Sequence, residues 1–297
     1  MDYNETSGIE LREAARALSE RALQSLGDER HDDVIADGLL CMKVADVAAI
    51  DGALVHSLIG TAIEGIGIAT AIPGIEGASA QQLKKAAMQL DETIAFYGDV
   101  DSEMERLINA DRHYSRSTFL VHWLEVLQGA LCLESASHEQ ILASLVRRNV
   151  FRQLFRTEVA IALYRLEMGQ FPDTLESLVP KFIANVPSDQ YSKTEGQSLQ
   201  YFATKNGESY RLYSVGPNRV DDNGEVDKND WYNFGDLDLK IMEGNRLADI
   251  AQEVAEEALH QARLQEDDED WIEEWDEEFA ETMEDLTEQP AEQSKTE

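Results

Sequence analysis

Basic residues are scarce in this chain. It holds 25 Lys and Arg against 59 Asp and Glu over 297 residues, a formal net charge of −34. A surface so acidic repels phosphate backbones and anionic lipid heads, since both are bound through Lys and Arg that displace counterions. Nucleic-acid binding is thereby excluded. Cysteine is scarcer still: Cys41 and Cys132 are too few for a disulfide framework. Each sits in an apolar helical pattern, where a free thiol acts as a small hydrophobe. The six histidines are scattered, with no His-Glu-x-x-His, Cys-x-x-Cys or i,i+4 histidine pair, so zinc is not indicated. No Gly-x-Ser-x-Gly elbow is present, and Gly65-Ile66-Gly67 lacks the third glycine and the preceding strand of a dinucleotide loop. No repeat of solenoid length is evident.

Long apolar runs are nearly lacking too. Met1 to Gly8 is polar and acidic, without the basic and apolar regions of a signal peptide. The nearest approach to a membrane span is Leu54 to Ile72, which is rich in Gly and Ala and carries His56 and Glu64. A spanning helix needs roughly 20 strongly apolar residues, so this run reads as a buried helix, with no transmembrane segment in the chain as given. Glu64 admits two readings, a carboxyl with its pKa raised by burial or a carboxylate that meets an arginine or backbone donors.

What the chain does have is helical periodicity. Apolar residues recur at helical spacing over Ile9–Leu26, ending at Gly27, and over Asp33–Ile50, ending at Asp51-Gly52. Ser79 reads as the N-cap of Gln81–Tyr97, and Asp101 to Cys132 as a long helix with an interruption near Ser115-Arg116-Ser117. Ser137-His138-Glu139-Gln140 is a capping box that predicts a helix from Ile141 to Met168. At Gly169 the period changes. Asp173-Thr174-Leu175-Glu176 predicts a short helix ended by Pro180. Alternating Ser198–Thr204 and Ser209–Val215 then flank Lys205-Asn206-Gly207-Glu208, a strong hairpin signal. The expected fold is α+β and mostly α. Residues 1–140 form a helical array, 141–242 a long helix with a small antiparallel sheet, 243–264 a helix, and 265–297 an acidic tail with net charge −15.

Gly169, Phe171 and Pro172, the leucines 175 and 178, Leu199-Gln200-Tyr201, and Tyr210, Leu212, Tyr213, Ser214 and Gly216 together form a pattern. A helix runs out at Gly-x-aromatic-Pro, a short helix with paired leucines follows, and then comes a hairpin closed by an acidic loop. Over about 80 residues this resembles the C-terminal half of the major pseudopilin of type II secretion systems. Pro187-Ser188-Asp189-Gln190 departs from that family's Asp-Pro-Trp-Gly, and the leader and uninterrupted apolar helix of a pseudopilin are not in the chain as given. Roughly residues 30–235 are similar to planctomycete proteins that place a helical region before such a module, many of them with an N-terminal membrane anchor. The resemblance implies a non-catalytic structural or interaction protein of a bacterial cell envelope. A soluble adaptor that binds a protein through its acidic tail and helical array is the alternative, and an enzyme of unknown class the third reading. With Met1 as the true start the chain is expected in the cytoplasm, and with an anchor upstream in the envelope.

Two groups of residues carry candidate binding chemistry. Asp221, Asp222, Asn223, Asp227 and Asp230 concentrate the hard oxygen ligands that calcium requires. The spacing is not that of an EF-hand, and Asp, Asn and Gly are also the ordinary composition of a solvated turn; the family's acidic loop binds calcium, so the resemblance implies such a site here. The second group is charged and aromatic. Arg148, Arg152 and Arg156 recur every four residues, with Arg147 and Arg165 nearby, and read either as pairing with the chain's own carboxylates or as docking an acidic partner. In the tail, Trp271, Trp275 and Phe279 repeat at the same spacing among acids, the pattern of an amphipathic stripe that binds a protein partner or the arginine stripe itself.

Overall fold

The structure is a computed structural model, and it describes residues 5–49, 54–97, 100–115, 131–204, 209–224 and 235–239. Among these residues the fold is α+β and mostly α, with six α-helices and one two-stranded antiparallel sheet. The helices are α1 (Glu5–Gly27), α2 (His31–Ala49), α3 (Leu54–Ala71), α4 (Ala80–Tyr97), α5 (Val100–Ser115) and α6 (Leu131–Met168). Two 3-10 helices, Ile72–Gly77 and Leu175–Leu178, join them, and the strands are β1 (Gln200–Ala203) and β2 (Tyr210–Tyr213). By compactness the chain divides at residue 255, and every described residue belongs to the first unit.

α3 is the central helix. Every side chain described on it, from Ser57 to Ala71, is buried or half-buried. Ser57–Gly77 is long and apolar enough to cross a membrane, with mean hydropathy 1.6, and here 67% of it lies inside the protein. α2 lies against it at very short range because both helices present glycine at the crossing. A Cβ on Gly38 would stand 2.5 Å from the Gly67 carbonyl oxygen and 2.6 Å from the Ala71 Cβ. α1 covers this pair with Ala15 and Ala22, the Cys41 thiol donates to the Ala15 carbonyl, and Arg21 makes a two-pronged pair with Asp37.

α4 runs parallel to α2, pinned at three levels. Asp32 accepts from the backbone and hydroxyl of Ser79 at 2.7 and 2.6 Å, and Gln89 donates to the Leu39 carbonyl at 3.1 Å. At the third level Asp46 meets Tyr97. Ser79 caps α4 as its position predicts, accepting from the Gln82 N–H.

α6 is the spine. One cluster of buried apolar side chains runs from Ile35 and Leu39 through Leu83, Leu90, Leu154 and Phe155 to Leu178, Leu212 and Leu237, so the helices and the hairpin unit share a core. The helix ends at Met168, with Gly169 in the left-handed region at φ 75°. Phe171 then packs against Tyr210 with ring centroids 4.6 Å apart, Arg165 lies over the Phe171 ring, and the Tyr201 hydroxyl donates to the Pro172 carbonyl at 2.6 Å. The strands pair as Gln200↔Tyr213 through Ala203↔Tyr210, and Ser214↔Leu237 adds an isolated bridge.

Three boundaries differ from expectation. α6 passes straight through the Ser137 capping box, because such a signal permits a helix start but is overridden where the preceding residues also fit the helix. Pro73 ends the α-helix of Leu54–Ile72 but not the winding, which continues as a 3-10 helix with the proline in its first turn. The short helix after Asp173 is also 3-10, and its N-cap is Thr174. The expected long helix Asp101–Cys132 is described only to Ser115 and from Leu131. Residues 243–264 and the tail lie outside the described residues.

The glycine crossing gives a direct test. Gly38→Ala must push α2 off α3 and should cost about 1–3 kcal/mol, whereas Gly27→Ala, with nothing within 4 Å, should be close to neutral. Urea denaturation of the two variants beside the parent checks both.

Candidate functional site

The densest polar chemistry lies where α2, α3, α4 and α6 meet. Spacing by four sets Arg148, Arg152 and Arg156 along one face of α6, the face turned inward. Arg148 and Arg152 are 4% and 1% exposed. Glu64, on the central helix and 2% exposed, stands between them. Arg152 donates to both carboxylate oxygens, from Nη2 to Oε2 at 2.6 Å and from Nε to Oε1, while Arg148 donates from Nε to Oε2. The Tyr97 ring lies beneath both guanidinium groups, at 4.8 and 4.6 Å from its centroid. Asp46 stands farther off, 3.8 Å from Arg148 and 4.0 Å from Arg152. Among the described residues the two terminal nitrogens of Arg148 make no hydrogen bond. Arg156 leaves this centre and clasps Asp91 at 2.7 and 3.0 Å, with a further bond to the Phe182 carbonyl at 2.8 Å.

The electrostatics follow from burial and pairing. Burial opposes ionisation of Glu64, yet Arg148 and Arg152 outweigh it and hold the carboxyl below its usual range. Burial likewise opposes the charge of Arg148, and Glu64 more than restores it. Asp46 is pushed up, first by burial and then by the Glu64 charge. The Tyr97 hydroxyl is also raised, by burial and then by Asp46. Of the two readings of Glu64, the carboxylate held by arginine is the one seen. The stripe Arg148, Arg152, Arg156 is therefore no open docking surface: it is buried and engaged with Glu64 and Asp91.

The acidic loop is organised around a residue outside the candidate calcium set. Asp236 is fully buried and accepts from the backbone of Asp222 at 3.3 Å and of Gly224 at 2.6 Å. Its pKa is pushed up to about 6 by burial, with help from the charges of Asp221 and Asp222. Asp221 accepts from the Tyr213 hydroxyl and the Asn223 N–H, each at 2.9 Å. Asp222 accepts from the Asn218 amide at 3.0 Å, and the Asn223 carbonyl accepts from Arg211. Asp189 performs a like task at the hairpin exit, taking donors from Tyr191, Ser214 and Val215 at 3.0, 2.7 and 2.9 Å. Gly216 admits the loop: a Cβ there would fall 1.8 Å from the Gly235 carbonyl oxygen. Among the described residues no three acidic, His or Cys side chains converge as a metal site. Asp227 and Asp230 of the expected calcium set, and Trp271, Trp275 and Phe279 of the tail, lie outside the described residues. The sequence signal for Asp189 and Asp236 is weak, since nothing in a lone aspartate beside a turn tells that it is buried.

No protein-family model matches the chain, and no curated protein or solved structure matches it either.

Glu64→Gln leaves two buried arginines without their carboxylate and should cost about 3–5 kcal/mol, measured by urea denaturation at pH 7. The pH dependence follows. Because the folded pKa of Glu64 is depressed, its stabilisation is complete above the unfolded value of about 4.3 and is lost as pH falls through the lower folded value. The parent should therefore lose stability below pH ~4 more steeply than the Gln variant.

Proposed function

We propose that this chain is a non-catalytic structural or interaction protein whose pseudopilin-like C-terminal unit is built onto the spine helix α6, and that it acts in a bacterial cell envelope. The observation that supports the non-catalytic part of this reading is how Glu64, Asp189 and Asp236 are used, while the envelope part rests on the resemblance of the C-terminal pattern. Glu64 is consumed by two arginines, Asp189 by three donors and Asp236 by two backbone N–H groups. A general acid or base needs a free lone pair or proton facing a substrate; these groups instead tie helices and loops together. Burial also pushes the Cys41 thiol up to about 12, far from the thiolate a nucleophile needs. The shared core that joins helices and hairpin supports a rigid body that presents surfaces.

The described part of the loop fits the same reading, since Asp221 and Asp236 take donors from Tyr213, Asp222, Asn223 and Gly224, so millimolar calcium should leave the melting curve of the full chain unchanged; a rise would favour the calcium site expected of Asp221, Asp222, Asn223, Asp227 and Asp230. The soluble adaptor is the second reading, favoured by apolar side chains left exposed on the helices, such as Leu40 and Phe96. In-cell cross-linking of the tagged full chain, followed by fractionation, separates the two. The envelope reading expects one cross-linked species larger than the monomer in the membrane fraction, and the adaptor reading expects it in the soluble fraction. A monomer that never cross-links contradicts both.

A further inference from the structure

Arg148, Arg152 and Arg156 are spent internally, but some of the described lysines are not. Lys43 on α2 and Lys85 on α4 are both exposed. Neither enters an ion pair among the described residues, in contrast to Lys181, which is paired with Glu167. They stand in company. On the outward arc of α2, one turn from Lys43 in either direction, Leu40 and Val47 are 43% and 53% exposed. On the outward arc of α4, Met88 and Phe96 are 66% and 73% exposed. The bonds Asp32–Ser79 and Gln89–Leu39 fix the two helices side by side and parallel, so the two arcs adjoin. Phe96 is not loose: its ring meets the buried Tyr97 edge-on, with centroids 4.6 Å apart. The result is a face on which exposed apolar side chains stand beside two lysines that enter no ion pair among the described residues, Lys43 between Leu40 and Val47 on α2 and Lys85 beside Met88 on α4.

We propose that the α2–α4 face is a docking site for an acidic amphipathic helix of a partner protein. This rests on the reading of the chain as an interaction protein, and it names the surface and the chemistry of the partner. The apolar row of such a helix would cover Leu40, Val47 and Phe96, and its flanking carboxylates would meet Lys43 and Lys85. Helix-in-groove recognition uses apolar anchors of this kind at i, i+4 and i+7. Unpaired lysines also suit an anionic membrane, but the net charge of −34 would repel an extended anionic surface. A single helix meets only the field within a Debye length of about 10 Å. That favours the protein partner.

The probe is a fluorescein-labelled synthetic helix of about 20 residues, with leucines on one face and glutamates elsewhere, titrated into the full chain by anisotropy. A shuffled peptide of the same composition is the control. The acidic helix should bind and the shuffled one should not, with affinity falling as salt rises. Lys43→Glu with Lys85→Glu, and separately Val47→Ser with Phe96→Ser, should each weaken binding about tenfold or more. Glu92, the carboxylate on the same arc of α4, opposes the partner's charge, so Glu92→Lys should tighten binding, a gain that misfolding cannot imitate. The proposal is overturned if the shuffled peptide binds equally, if the three variants leave affinity unchanged, or if phosphatidylglycerol vesicles bind while the peptide does not. It is overturned too if Val47→Ser with Phe96→Ser merely dissociates a dimer of this chain. A cellular cross-linked complex that persists in the Lys43→Glu, Lys85→Glu variant would refute this face while leaving the interaction reading intact.

Discussion

The rest of the described structure depends on one carboxylate buried in an apolar helix. Removing an ion from water costs several kcal/mol unless its charge and lone pairs are matched. α3 could therefore accept Glu64 only with a partner of fixed geometry, and α6 supplies it twice. Arg148 and Arg152 share one face by helical spacing, and each approaches through a planar group that can hold two oxygens at once. Tyr97 completes the centre from α4, and Asp46 from α2. Four helices thus have their rotation about their own axes set by the same small group of charges. A purely apolar interface would tolerate sliding far more readily.

The same logic recurs at smaller scale in the C-terminal unit. A two-stranded hairpin is marginal by itself, and here its tyrosines 201 and 210 pack with Phe171, over which Arg165 of α6 lies, while the Tyr210 hydroxyl donates to Glu158 of α6. Its exit is then held by Asp189, which accepts from the Val215 N–H, and the acidic loop beyond it by Asp236, which accepts from the Asp222 and Gly224 N–H groups. Carboxylates serve throughout as internal ties. That places the acidic character of the chain partly inside the fold, beyond its solubilising role at the surface.

Much of this was legible before the structure. The end of α1, the start of α4, the Gly169 stop and the pairing of the two strands follow from Gly27, Ser79, Gly169 and alternation, which act locally. The use of the arginine stripe was half-legible: spacing by four put the three on one face, but only packing tells that the face turns inward to Glu64, 84 residues from Arg148. The winding past Pro73 and the passage of α6 through Ser137 went the other way, since tertiary contacts overrode local stop and start signals. Asp236 and Asp189 left only a weak signal, because most of the donors they serve are distant in sequence and lie on the backbone, which a residue pattern does not display.

Native-state hydrogen exchange addresses the central claim most directly. If the Glu64 centre binds α3 and α6 into one unit, the amides of Ala62–Ile68 and of Arg148–Arg156 should exchange together, at the free energy of global unfolding. Exchange of the α3 amides at a distinctly lower free energy, while those of α6 stay protected, would show that the two helices open independently and would contradict the account.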